Sequence, residues 1–131
     1  MKEVKNLVKG PFKDEEAFKQ AVLKVLRTHP KYKRFEIENE EKEPGMPDVL
    51  SISASLPSFF TEFKISDGKG IIEFTKDQPL FYKQNEDLLI DILAWDIRFN
   101  RVVALTPSEV LKALKANTNL KLRTVKIPEE L

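Results

Sequence analysis

The chain contains no cysteine and a single histidine, His29, among its 131 residues. Disulfides, thiolate nucleophiles and zinc sites built from cysteine or clustered histidine are therefore excluded. Any metal that side chains bind here must be a hard cation held by oxygen ligands. His29 itself precedes Pro30 at the end of a predicted helix, so we interpret it as a helix-end residue rather than a catalyst.

An excess of charge of one sign is also lacking, because 22 basic residues face 21 acidic ones and the net charge is +1. A chain with this balance needs a local basic surface or a bridging metal to bind DNA. No apolar run reaches the roughly 18 residues needed to cross a bilayer, and MKEVKNLVKG lacks the apolar core of a signal peptide. We therefore expect no membrane partner, and a location in the cytoplasm, or in the host cytoplasm if the gene is viral.

The composition, with 41% hydrophobic and 33% charged residues, is typical of a globular protein. A length of 131 residues predicts one domain spanning the whole chain. We place the core at about residues 12–114 and a C-terminal tail at about residues 117–131.

Periodicity and turn residues predict a helix, three strands, a second helix, two strands and a third helix. This order, αβββαββα, favours an α/β or mixed α+β fold with a central mixed sheet flanked by helices. The predicted helices are Asp14 to His29, Thr75 to Asn85 and Thr106 to Leu114; the predicted strands are Lys33 to Glu38, Asp48 to Ser53, Phe59 to Ile65, Leu88 to Asp96 and Arg101 to Leu105, with an edge strand at Leu120 to Ile127.

The segment GMPDVLSISASLPSFFTEFK, residues 45–64, carries the residues best suited to chemistry. Alternation along a strand projects Glu62 and Lys64 to the same side, and Asp48 lies at the start of the neighbouring strand. Carboxylates and a nearby main-chain carbonyl are ligands that magnesium prefers, and a lysine beside them can orient a water or offset phosphate charge. The Glu-x-Lys pattern alone is weak evidence, since Glu3-Val4-Lys5 and Glu40-Glu41-Lys42 also match it.

The first predicted helix offers an acidic residue before this segment. Glu15 lies three residues before Phe18 and seven before Val22, which places it on the inward face, and Glu16 is the alternative. Either acid is also explained by the helix dipole, which favours negative charge in a first turn. On the second helix, Gln78 and Tyr82 are four residues apart and share a face.

Together these residues resemble the PD-(D/E)xK nuclease superfamily. Pro47-Asp48 and Glu62-Phe63-Lys64 are similar to the two halves of its signature, and Gln78 to Tyr82 resembles the Gln-x-x-x-Tyr motif of RecB-like members. The arrangement is also similar to VRR-NUC proteins and, more loosely, to archaeal-type Holliday junction resolvases. The resemblance covers roughly residues 12–114 and implies a restriction-endonuclease-like core.

The resemblance implies a magnesium-dependent endo- or exodeoxyribonuclease, with manganese as a substitute metal. Its predicted metal ligands are Asp48, Glu62, the main-chain carbonyl of Phe63 and Glu15. Lys64 and Gln78 complete the predicted catalytic group. Tyr82 would lie near the nucleic-acid backbone; packing in the core is the alternative reading of that tyrosine.

Basic residues near the motif in sequence are the predicted nucleic-acid contacts. They are Lys69, Lys76 and Lys83, with a second patch at Lys31, Lys33 and Arg34. Exposed lysines are often only solvated charge, and no cluster of arginines follows the motif strand. The single Trp95 is interpreted as a packing residue.

Three functions remain open on the sequence alone. The chain is predicted to cut DNA, with a structure-specific role at junctions or flaps in replication, recombination or repair. The alternatives are a catalytically inactive nuclease-fold module that binds nucleic acid or protein, and a structural protein whose motif matches arise by chance. Cleavage of a four-way junction would require a symmetric homodimer.

Overall fold

The computed structural model describes residues 1–28, 35–38, 44–52, 57–114 and 119–122, and within them it forms three helices and eight strands. The strands are β1 (Lys2–Val4), β2 (Phe35–Glu38), β3 (Val49–Ile52), β4 (Phe59–Ile65), β5 (Ile71–Glu73), β6 (Ile90–Asp96), β7 (Arg101–Leu105) and β8 (Asn119–Lys121). The helices are α1 (Glu15–Thr28), α2 (Asp77–Gln84) and α3 (Pro107–Leu114).

Six of the strands form one mixed sheet in the order β1-β7-β6-β4-β3-β2. Neighbours in this sheet are antiparallel except β4 and β6, which run parallel. A parallel pair requires a crossover connection, and α2 lies in the segment that joins β4 to β6. The crossover therefore places α2 against the sheet beside the strand that carries Glu62 and Lys64.

Side chains fix where two of the helices begin. The Oδ1 atom of Asp14 accepts a hydrogen bond of 2.8 Å from the backbone N–H of Ala17, so Asp14 is the cap of α1. At α3 the hydroxyl of Thr106 accepts from the N–H of Glu109, whose carboxylate accepts from the N–H of Thr106, at 3.1 and 3.0 Å. This reciprocal pair is a capping box, as the Thr-Pro-Ser-Glu sequence predicts.

The sheet separates two hydrophobic layers, because alternate residues of its strands point to opposite faces. On one face α1 packs against the sheet through Phe18, Val22, Leu23, Val49, Phe63, Trp95 and Val102. On the other face α2, α3 and the small β5-β8 sheet pack around Ile72, Phe74, Tyr82, Ile90, Ile92, Ala94, Val103, Leu105, Val110, Leu114, Leu120 and Leu122. The predicted central mixed sheet flanked by helices is confirmed, and the helices lie on both of its faces.

Some elements differ from the predictions. The strands β1 and β5 were not predicted, because each has only three residues and shows no clear alternation. The last strand pairs with β5 rather than extending the main sheet, and the predicted continuation to Ile127 lies outside the described residues. His29 and the patch Lys31, Lys33 and Arg34 also lie outside them.

Within the described part of the chain, none of the helices has the length and apolar character needed to span a membrane.

Candidate functional site

Glu62 and Lys64 form a buried charged pair on β4, a strand with neighbours on both sides. Their exposed fractions are 1% and 7%. Alternation points both side chains toward the layer that contains α2, while Phe63 points to the other layer, where its ring meets Phe18 at 5.8 Å. Burying charge in this way is costly unless hydrogen bonds and an opposite charge compensate it.

Gln78 supplies that compensation from the first turn of α2. Its Oε1 accepts a hydrogen bond of 2.9 Å from Nζ of Lys64, and its Nε2 donates one of 3.1 Å to Oε2 of Glu62. A carboxamide is suited to this position because it presents an acceptor and a donor together. The same Oε1 accepts from the backbone N–H of Thr75 at 2.9 Å, which holds the amide in place at the start of the helix.

Asp48 lies beside this group at the entrance to β3. Val49 pairs with Thr61 and the two strands are antiparallel, so Asp48, the residue before Val49, lies opposite Glu62, the residue after Thr61. The Oδ2 atom of Asp48 accepts a hydrogen bond of 2.9 Å from the backbone N–H of Phe63. The structure thus brings together Asp48, Glu62, Lys64 and Gln78, as the sequence predicts.

Gly45 lets the segment that carries Asp48 approach α2. Its φ is +81°, a region that favours glycine, and a Cβ built there would collide with the backbone carbonyl of Asp77. Asp77 is the first residue of α2 and directly precedes Gln78. The close approach at Gly45 therefore sets Asp48 and Gln78 on facing segments.

Tyr82 is buried in the core, with an exposed fraction of 1% and a T-shaped contact between its ring and that of Phe74. Its hydroxyl makes no hydrogen bond among the described residues. Burial raises the pKa of Tyr82, and the negative charges of Glu62 and Asp48 raise it further. This placement differs from the predicted contact with a nucleic-acid backbone and agrees with the alternative, a packing role.

On α1, Glu16 rather than Glu15 belongs to the charged group near Asp48. Glu15 and Glu16 are both exposed in the first turn of the helix. Glu16 binds Nζ of Lys19 at 2.8 Å, and hydrogen bonds from Lys19 and Gln20 lower its pKa while the charge of Asp48 opposes that shift. Glu15 is thus not seen to face the site as predicted. The alternative acid, Glu16, is the one that interacts electrostatically with Asp48.

Lys19 connects this acid to the sheet. Its Nζ lies 3.5 Å from Oε2 of Glu38 on β2. Burial alone would lower the pKa of Lys19, but Glu16, Glu38 and Asp48 together raise it above its ordinary value. Glu38 pairs in the sheet with Val49, the residue that directly follows Asp48 in the sequence. Sequence reasoning missed both Lys19 and Glu38; the helical spacing of Glu16 and Lys19 was the available signal.

Two carboxylates, Asp48 and Glu62, lie at the site, and Phe63, whose main-chain carbonyl is the third predicted oxygen ligand, lies between Glu62 and Lys64 on β4. In the part of the chain that the structure describes, no three or more histidine, cysteine, aspartate or glutamate side chains converge as a metal-binding group. The predicted convergence of Glu15 with Asp48 and Glu62 is therefore not found. Magnesium nevertheless requires only one or two carboxylates, since it retains waters and takes oxygens from a phosphate.

The remaining predicted residues lie at the surface or in the core. Lys69, Lys76 and Lys83 are all exposed. Trp95 is 3% exposed and its indole meets the ring of Phe12 at 4.9 Å, which confirms its packing role.

Comparison of this chain with family models, with curated proteins and with solved structures finds no match.

Proposed function

We propose that this protein is a metal-dependent nuclease that hydrolyses DNA phosphodiester bonds with magnesium, or with manganese in its place. The observation that carries the proposal is the hydrogen-bonded row Glu62, Gln78 and Lys64, with Asp48 beside it. A buried carboxylate and a buried ammonium are costly to maintain, so their retention on a central strand favours a functional role over a purely structural one. The chain order of helix, strand hairpin, crossover helix and parallel strand supports a restriction-endonuclease-like core.

Asp48, Glu62 and the main-chain carbonyl of Phe63 would hold the metal. Glu16 would contribute through a water molecule rather than by direct contact. The metal would lower the pKa of a bound water and stabilise negative charge on the phosphate. Lys64 would orient the attacking water and offset phosphate charge. Gln78 positions both charged groups, because it binds Lys64 and Glu62 at the same time.

The hydrogen bond from the N–H of Phe63 to Asp48 has a direct role in this arrangement. It fixes the orientation of the Asp48 carboxylate relative to β4. The two predicted carboxylate ligands are therefore tied to the same strand. A rigid strand holds such groups more precisely than a loop would.

The proposal is tested by incubating the protein with linear, plasmid, flapped and four-way DNA in magnesium, in manganese and in EDTA. We expect cleavage that requires a metal and that is lost in Glu62→Gln and Lys64→Met. Lys112→Ala, which changes an exposed lysine on α3 outside the predicted nucleic-acid contacts, is the control and should retain cutting. Undiminished cleavage by both Glu62→Gln and Lys64→Met would refute the assignment.

A second candidate is a nuclease-fold module that binds nucleic acid or protein without cutting. The burial of the charged pair favours it, since 1% and 7% exposure leaves Glu62 and Lys64 little direct access to substrate. In that case the row of hydrogen bonds only stabilises the fold. Binding of DNA without cleavage of any substrate, under every metal condition, would support this module over the nuclease.

The kind of DNA that the protein cuts also determines which oligomeric state it needs. A junction-resolving nuclease needs two sites related by a two-fold axis, so it would be a homodimer. Sedimentation of the protein alone and with a four-way junction distinguishes this activity from flap or end cleavage. A strictly monomeric protein in both samples would exclude symmetric junction resolution.

A further inference from the structure

The turn between β6 and β7 presents an aromatic ring to solvent. This turn, Ile97-Arg98-Phe99-Asn100, is called the Phe99 tip below. Phe99 is 52% exposed and Ile97 is 46% exposed, and Phe99 is the only aromatic among the large hydrophobic residues that are exposed in the described ranges. An exposed aromatic ring beside cationic groups is a feature that can serve in recognition.

Two arginines underlie the ring. The guanidinium carbons of Arg98 and Arg101 lie 4.9 and 5.0 Å from the ring centroid of Phe99. Both guanidinium groups bind Oδ2 of the buried Asp96, at 2.9 and 3.0 Å, so one carboxylate holds both cations beside the ring. With these contacts in place Phe99 is still 52% exposed, so a substantial part of the residue remains open to solvent.

The Phe99 tip is held in one conformation by contacts on both sides. The N–H of Arg98 donates to Oδ1 of Asp96 at 3.2 Å, which begins the turn. Asn100 has a φ of +46°, and its Oδ1 accepts from the N–H of Gly10 at 2.9 Å and from the indole of Trp95 at 3.1 Å. A platform that is already ordered loses little conformational entropy when a ligand stacks on it.

The tip lies at the same end of the sheet as the candidate site. In the parallel pairing of β4 and β6, Lys64 is opposite Ala94, and the N–H of Ile97 donates to the hydroxyl of Ser66 at 3.0 Å. Ile97 follows Ala94 by three residues, which corresponds to about 10 Å along a strand. One strand of nucleic acid bound at Lys64 would therefore extend over the Phe99 tip within two or three nucleotides.

Positively charged residues also lie beside the Phe99 tip, next to strands β1 and β7. A small cavity of about 150 Å³ is lined by Lys5, Lys9, Asn6, Asn100, Arg101 and one acidic residue, Glu3, with valines completing its wall. Lys5 and Lys9 are exposed. Ammonium groups at this position complement the phosphates on either side of a base that stacks on Phe99.

We propose that Phe99 is a stacking platform for an unpaired nucleobase, and that the substrate of this protein is DNA with a single-stranded segment. The proposal rests on the proposed function in taking nucleic acid as the ligand. Base stacking on an aromatic ring is independent of sequence, and the bases of intact duplex are not available to it. Flaps, frayed ends and branched DNA provide such bases, whereas blunt duplex does not.

The test measures binding separately from cleavage. Fluorescence anisotropy of a dye-labelled 20-nucleotide oligothymidylate and of a blunt hairpin duplex is recorded in EDTA. We expect Phe99→Ala to weaken binding of the single strand by about 5- to 100-fold, the range for loss of one stacked base, and to change duplex binding by less than about 2-fold. Phe99→Trp should retain binding, and its added indole fluorescence should be quenched by the oligonucleotide.

Leu89→Ala is the matched control, because Leu89 is 55% exposed and lies just before the opposite end of β6. Equal affinity of wild type and Phe99→Ala for the single strand would overturn the proposal, as would failure of wild type to bind it. Dimers of wild type that become monomers in Phe99→Ala, with unchanged DNA binding, would instead identify the tip as a self-association surface. Cleavage of blunt duplex without single-strand binding would leave the nuclease assignment intact and remove only this inference.

Discussion

Lys64 and Glu62, two residues apart on β4, are joined through one side chain: Gln78 accepts from Nζ of Lys64 at 2.9 Å and donates to Glu62 at 3.1 Å. The amide holds a cation and an anion at fixed positions without neutralising either of them. Because Gln78 belongs to α2 and the charges belong to β4, the packing of that helix on the sheet decides the geometry of the site.

Replacing Gln78 by methionine, which is of similar size but cannot make these hydrogen bonds, is expected to destabilise the protein. Hydrogen bonds to charged groups contribute about 1.5 kcal/mol each, so losing two should lower the free energy of unfolding by about 3 kcal/mol. Gln84→Met, on the exposed side of the same helix, is the control and should change it by less than about 0.5 kcal/mol. Urea unfolding measures both; equal stability of the two variants would show that the amide contributes nothing.

Removing the hydroxyl of Tyr82 is expected to be harmless. The group is buried and makes no hydrogen bond among the described residues, so Tyr82→Phe removes a desolvated polar atom and should stabilise the fold by about 1 kcal/mol. DNA cleavage should be retained. A tenfold or larger loss of activity in Tyr82→Phe, with unchanged stability, would mean that the hydroxyl reaches the substrate in a conformation other than the one described.

The sequence predicted the parts of the fold that depend on local patterns. Strand β4 and strand β7 have the predicted limits, Phe59–Ile65 and Arg101–Leu105, because apolar alternation and flanking turn residues define them. The cap at Asp14 and the capping box at Thr106 are likewise local, since each joins residues only three positions apart. Strand β1 could not be predicted, since its three residues form a strand by pairing with β7, which is distant in the sequence.

The candidate site was predictable in part. Alternation alone places Glu62 and Lys64 together, and helical spacing places Gln78 near the start of α2. The choice between Glu15 and Glu16 depended on which acid interacts with Lys19 and Asp48, which no local pattern reports. The burial of Tyr82 likewise depends on how α2 packs against Phe74 and the rest of that layer.

Adding a methyl group at Gly45 is expected to disturb the segment that carries Asp48. Gly45→Ala would place a Cβ against the carbonyl of Asp77 at a φ of +81°, and positions with such strain cost roughly 1 to 3 kcal/mol. We expect a loss of stability in that range and a lower rate of cleavage. Gly68→Ala is the matched control, because a Cβ at Gly68 meets no atom within 4 Å. Thermal melting compares them; equal melting temperatures would show that the close approach is not required.

Lowering the pH is expected to reduce the free energy of unfolding through protonation of Asp96. Burial alone would raise the pKa of this carboxyl, but hydrogen bonds from Arg98 and Arg101 outweigh it and hold the pKa below its usual value. A folded-state pKa below the unfolded value of about 3.9 gives stability that is fully present above that pH. This contribution is then lost as the pH falls through the lower, folded-state pKa.

The variant Asp96→Asn isolates this contribution. It removes the buried carboxylate that both arginines bind, so we expect a loss of about 3 kcal/mol at pH 7, as when one member of a buried ion pair is removed. The difference in unfolding free energy from wild type should shrink as the pH falls below about 3.9 toward the lower folded-state pKa, because protonation of wild-type Asp96 removes the same charge. Asp87→Asn, at an exposed position, is the control. A difference that stays constant over that pH range would mean that the charge of Asp96 is not what stabilises the turn beneath Phe99.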